Sequence, residues 1–152
     1  MPLNIYDALH ESHETQRSLC RQLLRSPPHG GRREEVYRQL RIELAAHAAA
    51  EERFLYVPML MDDMGLNSSR HALSEHHEID EAVEDLGQAD AIGGSWLAKA
   101  KKLSHEVHHH LREEEKKFFQ VSGKILSDTQ KLRLGKAYLK DYARMKQVLA
   151  ER

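Results

Sequence analysis

Residues 47–56 read HAAAEERFLY and residues 110–119 read HLREEEKKFF, and these two stretches decide the fold. In each, a histidine (His47, His110) is followed four positions on by a carboxylate (Glu51, Glu114) and nine positions on by an aromatic residue (Tyr56, Phe119). A spacing of four places two side chains one turn apart on the same face of a helix. Each stretch can therefore offer an imidazole nitrogen and a carboxylate oxygen to one point.

The repeat extends to two further histidines. His13 to His47 and His76 to His110 each span 34 positions, while His13 to His76 and His47 to His110 each span 63. Two helical hairpins in the same register follow from those spacings. The register also selects among neighbours. His76 shares a face with Ile79 whereas His77 points toward Asp80 and Glu81, and His110 is preferred to His109 on the same ground. His47 and His110 each lie seven positions after a leucine, Leu40 and Leu103, a whole number of turns.

Turn signals divide the rest of the chain. Asn4 caps a first helix carrying Leu9, His13, Gln16, Cys20 and Leu23 at helical spacing, which stops at Ser26-Pro27-Pro28-His29-Gly30-Gly31. A second helix runs from about Arg32 toward Pro58, where a kink is expected, and Asp62 to Ser68 closes it. The third opens near Ser68 or Ser69 and ends at Gly87. Ser95 caps the fourth, whose face is Leu97, Ala100, Leu103, Val107, His110, Glu114 and Phe118, until Ser122-Gly123 interrupts it. Ser127 to Gln130 form a capping box for a fifth helix with the stripe Leu132, Tyr138, Leu139, Tyr142, Met145 and Leu149. No segment alternates with the period of a strand. The expected architecture is all-α: one domain over 1–152, an up-down-up-down four-helix bundle over about 4–121, and an extra C-terminal helix over about 127–151.

Composition narrows the function. The chain is 40% hydrophobic and 31% charged, with 8 Gly and 4 Pro, a balance suited to helices. A formal net charge of −1 gives no electrostatic footprint for nucleic acid or an anionic membrane. The single cysteine, Cys20, leaves no intrachain disulfide and no thiolate-rich metal site. The opening residues MPLNIYDALHESHE lack a basic stretch followed by an apolar one, so a cytoplasmic protein is expected. Eleven histidines stand out, spread through the helical segments rather than gathered in a tail.

A lone histidine on an apolar helix face is more often a hydrogen-bonded core residue than a ligand. Four in one register, two with glutamates one turn on, are different, because burying them without a cation would carry a heavy desolvation cost. The candidate metal ligands are His13, His47, Glu51, His76, His110 and Glu114. Imidazole and carboxylate without thiolate suit iron, and can also hold manganese or zinc. With both glutamates bridging, six side chains supply about eight of the roughly twelve bonds that two octahedral ions take, leaving the rest for an oxo or hydroxo bridge, water or an incoming molecule.

Those residues in their contexts, His13 in SHETQRSL, His47 and Glu51 in HAAAEERFLY, His76 in SEHHEIDEAV, and His110 and Glu114 in HHHLREEEKKFF, resemble the hemerythrin-like HHE cation-binding domain. The likeness spans about residues 5–150. It implies a four-helix bundle holding a non-haem di-iron site bridged by two carboxylates, with oxygen, peroxide, nitric oxide or iron handling as the associated activities. The chain departs from oxygen-carrying hemerythrins where their third helix bears His-x3-His, for Asp80 stands four after His76. Their last helix carries its acid five residues after the histidine, a place held here by Glu115, with Glu114 the better match to the internal repeat. Asp80 is accordingly a further candidate as ligand or supporting partner, and His10, one turn before His13, is another, at the mouth of the site.

Two functional classes follow. One is a stand-alone di-iron protein that binds or reacts with a small diatomic or peroxide, served by a separate reductase. The other is a sensing or metal-binding module whose state is read by a partner protein. A monomer and a homodimer are both compatible with the sequence.

Overall fold

Asn4 opens the first helix by accepting the Asp7 backbone N–H on its side chain, while the Asp7 carboxylate accepts the Asn4 N–H in return. In this computed structural model, which describes residues 2–152, that helix is α1, Ile5–Arg25. α2 is regular over Arg32–Glu51, passes through one wide π-type turn at Glu52–Tyr56 and ends in Val57–Leu60. α3 spans Leu66–Gly87. α4 repeats the form of α2, with a regular stretch Trp96–Glu113, a wide turn at Glu114–Phe118 and a final stretch Phe119–Ile125. α5, Asp128–Ala150, follows a second reciprocal cap between Ser127 and Gln130. Among the described residues there is no strand, and no helix is long and apolar enough to cross a membrane.

Several boundaries differ from expectation for local reasons. The irregularity in α2 falls before Pro58, within the wide turn, and the helix continues through Pro58 to Leu60. Ser122 and Gly123 lie inside α4, since the buried Ser122 hydroxyl meets Tyr6 Oη at 2.8 Å and the helix continues to Ile125. α3 starts at Leu66 behind Gly65, and Ser95 precedes α4 without a side-chain cap bond. Trp96 takes the buried place expected of Leu97, which is 39% exposed, and Leu132 on α5 is likewise exposed.

α1 packs on α2 and α4, α3 packs on α4, and α5 lies in the groove between α1 and α2. The apolar core forms two main layers along the bundle. One gathers Leu23, Val36, Leu40, Leu86, Trp96 and Leu103; the other gathers Ile5, Leu9, Leu55, Met59, Phe118 and Tyr138. His13, His47, His76 and His110 fall between them in sequence on all four helices, so the polar residues form a layer enclosed at both ends. α5 reaches its groove through Gly135, where a Cβ would stand 2.7 Å from the Leu3 carbonyl oxygen and 2.7 Å from the Asn4 carbonyl carbon.

Candidate metal centre

The register read from the sequence converges in space. His13, His47, His76, His110, Glu51 and Glu114 are all buried, His13 and Glu51 completely so. Their ligand atoms form two groups, His13, His47, Glu51 and Glu114 in one and His76, His110, Glu51 and Glu114 in the other, each with its atoms within 4.8 Å of one another. Both glutamates belong to both groups. The inner atoms are close but not bonded. His13 Nε2 lies 3.2 Å from Glu114 Oε1, and His47 Nε2 lies 3.2 Å from Glu51 Oε1. His76 Nε2 stands 3.3 Å from Glu51 Oε1. Yet His13 Nε2, His47 Nε2, His110 Nε2, both Glu51 oxygens and Glu114 Oε1 have no hydrogen-bond partner. Donors and acceptors at such distances without hydrogen-bond alignment are aimed at points between them, as ligands of a cation are. The residues present fit a pair of metal ions.

Each ring is fixed from behind through its other nitrogen. His13 Nδ1–H donates to Glu115 Oε2 at 2.7 Å, His76 Nδ1–H to Glu52 Oε2 at 2.8 Å and His110 Nδ1–H to Glu75 Oε1 at 2.9 Å. A carboxylate only accepts, so these bonds put a proton on Nδ1 and turn Nε2 toward the interior. His47 Nδ1 instead meets Tyr138 Oη, from α5, at 2.9 Å. The wide turns explain the doubled glutamates. At Glu51-Glu52 and Glu114-Glu115 the first residue faces inward while the second reaches the lone histidine of another helix.

The electrostatics follow the same pattern. Burial works against a charged His13 ring, but Glu114 and Glu115 outweigh it and lift His13 to about 9. Against the same burial, Glu51 and Glu52 lift His76 to about 10. Burial alone would raise the Glu51 carboxyl, and His47 and His76 hold it well below the usual range. Glu115, beside His13 and Arg17, is pulled down to about 2 against its own desolvation.

The two ends of the centre differ. Tyr56 Oη donates to Glu114 Oε2 and lies 3.2 Å from His76 Nε2, so a phenol enters the cage on the His76 and His110 side. Burial and the Glu114 and Glu51 charges push that phenol well above its ordinary pKa. Its counterpart in the repeat, Phe119, stacks on His13 at 5.9 Å and contributes no polar atom. A cleft of about 260 Å³ between α3 and α4 reaches His110 and Glu114, with Ala72 and Phe118 in its walls and His71 and Lys117 at its rim.

The chain matches the model of the hemerythrin HHE cation-binding domain over residues 4–121. It belongs to that family. A crystal structure of an HHE cation-binding domain-containing protein from Mycobacterium kansasii superposes with a TM-score of 0.82 at 23% identity, covering 98% of this chain and 89% of that one. At that identity the likeness concerns the fold. No curated protein matches the chain significantly.

The secondary candidates of this HHE-domain chain lie outside the cage. Asp80 is exposed and belongs to neither group, although it borders a narrow crevice with Gln16, His47 and His76. His10, half exposed, stands 3.3 Å from Glu115 Oε2, behind His13. His77 is exposed and pairs with Glu81, as its register requires. Sequence reasoning missed the roles of Glu52, Glu75 and Tyr138. The doubled glutamates were a readable signal for Glu52, whereas nothing local marks Tyr138 as a partner of a residue 91 positions away.

Proposed function

We propose that this HHE-domain protein holds two iron ions between His13, His47, His76, His110, Glu51 and Glu114, and there binds or reacts with dioxygen, peroxide or nitric oxide. The observation that carries this reading is the set of buried, unpartnered ligand atoms in two groups that share both carboxylates. A pair of iron ions so held supplies Lewis acidity and one-electron redox change toward such molecules. Imidazole and carboxylate donors also accommodate manganese or zinc, so the metal is part of the proposal.

The chain's own residues set the conditions. Glu51 and Glu114 would be shared by the two ions, with His13, His47, His76 and His110 supplying the imidazole ligands. Glu52, Glu75 and Glu115 hold three imidazoles in the required tautomer and raise their basicity. The apolar layers keep bulk water from both ends of the cage. Tyr56 offers an oxygen to the His76 and His110 position, while Phe119 keeps the opposite position apolar. The cleft beside His110 and Glu114 provides a route for small molecules.

Metal analysis of protein produced with iron, with optical spectra before and after peroxide, tests the reading. Two irons per chain with charge-transfer absorption that changes on peroxide addition are expected. A colourless protein containing only zinc would contradict it.

A further inference from the structure

The 63-residue repeat pairs residues around the centre as well as within it. Glu75, which accepts from His110 Nδ1, corresponds to Ser12, which precedes His13 as Glu75 precedes His76. A serine is too short to take over that carboxylate's contact, so His47, the counterpart of His110, is left without the equivalent partner. Tyr138 of α5 occupies the gap, bonded to His47 Nδ1 at 2.9 Å. Ser12 Oγ itself donates to Glu43 Oε2 at 2.6 Å. Glu43 is 2% exposed, with Tyr142 donating to the same oxygen and Lys146 Nζ 3.5 Å from the other. Gln16, standing where the other half has Ile79, adds a bond from Nε2 to Ser12 Oγ at 3.2 Å. Three of the histidines thus rest on a carboxylate and the fourth on a phenol, while the Ser12 hydroxyl in the carboxylate's place turns to Glu43 instead.

We propose that Tyr138 is a positioning residue of the metal centre: through it, α5 replaces the carboxylate missing at Ser12 and orients His47. The proposal rests on the metal reading above. With Nε2 directed inward, His47 Nδ1–H donates to the Tyr138 oxygen. The ring is oriented as firmly as the others, yet its direct partner is neutral. The His13 and His47 position therefore holds its ion with a less basic imidazole than the His76 and His110 position does. An accessory helix is in this way part of the site, beyond the packing it provides.

Anaerobic titration of the metal-free protein with ferrous iron or Co²⁺, followed by calorimetry and by the Co²⁺ optical spectrum, tests this. Tyr138→Phe keeps the ring and its 5.6 Å stacking on Tyr142 but removes the hydroxyl. It should weaken one of the two binding steps by roughly 10- to 100-fold and change the spectrum of that step alone. The metal-free melting temperature should change little. Adding Ser12→Glu, with Glu43→Gln to avoid two adjoining buried carboxylates, should restore the lost step by rebuilding the contact that Glu75 makes in the other half. Two unaltered binding steps in Tyr138→Phe would overturn the proposal, as would a loss that the added Ser12→Glu and Glu43→Gln substitutions fail to restore in a folded protein. Wild-type protein that takes up no metal would instead remove the underlying reading and the proposal with it.

Discussion

His47 and His110 stand out through the glutamate one turn on, and His13 and His76 through register, because spacing along a helix is a local property. The residues that hold those rings depend on how the helices meet, so Glu75 and Tyr138 could not be read from spacing. His110→Ala and Glu51→Ala should each lose metal and lower the melting temperature of the metal-loaded protein, as metal analysis and thermal unfolding would show. His77→Ala, altering an exposed ring paired with Glu81, should do neither. Tyr56→Phe should keep both ions but remove any phenolate-to-iron absorption and leave the peptide fold intact, which optical and circular dichroism spectra distinguish. The pH dependence has a defined sign. In the metal-free protein His13 and His76 sit at about 9 and about 10, above the ordinary 6.5, so their stabilisation is fully present below 6.5 and fades as pH rises through 9 to 10. Glu115, lowered to about 2 from an ordinary 4.5, contributes stability above 4.5 that is lost as pH falls toward 2. Metal must displace the imidazole protons, so uptake at pH 7 should release about two protons per chain. Calorimetry in buffers of different ionisation enthalpy measures that number, and a value of zero would contradict the raised His13 and His76 values.

Two wide turns, Glu52–Tyr56 in α2 and Glu114–Phe118 in α4, follow the inner glutamates and let consecutive carboxylates serve different ends, one in the cage and one behind a histidine. Sequence periodicity alone treats a helix as uniform. It therefore left the choice between Glu114 and Glu115 to the repeat, whereas the structure places Glu114 within the buried cluster and Glu115 behind His13. It also placed a break at Ser122-Gly123, because a buried serine bonded to Tyr6 cannot be told from a turn signal in a single sequence. The docking of α5 is steeper in its demands. Gly135 lies against the backbone of Leu3, Asn4 and Ile5, so Gly135→Ala should force α5 outward and cost about 1–3 kcal/mol, measurable by denaturant unfolding. If α5 helps to orient His47, the same substitution should weaken metal binding as well, an effect that a purely peripheral helix would not produce.

Over the whole molecule, the bundle was legible because its four helices carry the same spacing twice, and the fifth because its cap at Ser127 is local. What the repeat concealed is how far the halves diverge. Tyr56 is matched in the repeat by Phe119 and Glu75 by Ser12, and the cleft opens at His110 and Glu114, so a cluster built on near-twofold spacing has two unlike ends. Asp80, which drew notice as the residue four after His76, stays at the surface, and the extra oxygen near that histidine comes from Tyr56. The central claim is that these side chains hold two ions in two places. Anomalous diffraction at the iron edge from crystals of iron-loaded protein tests it most directly. Two peaks are predicted, one between His13 and His47 and one between His76 and His110, with Glu51 and Glu114 reaching both. No peak in the cage, or a single peak outside it beside His10 and Glu115, would contradict the account.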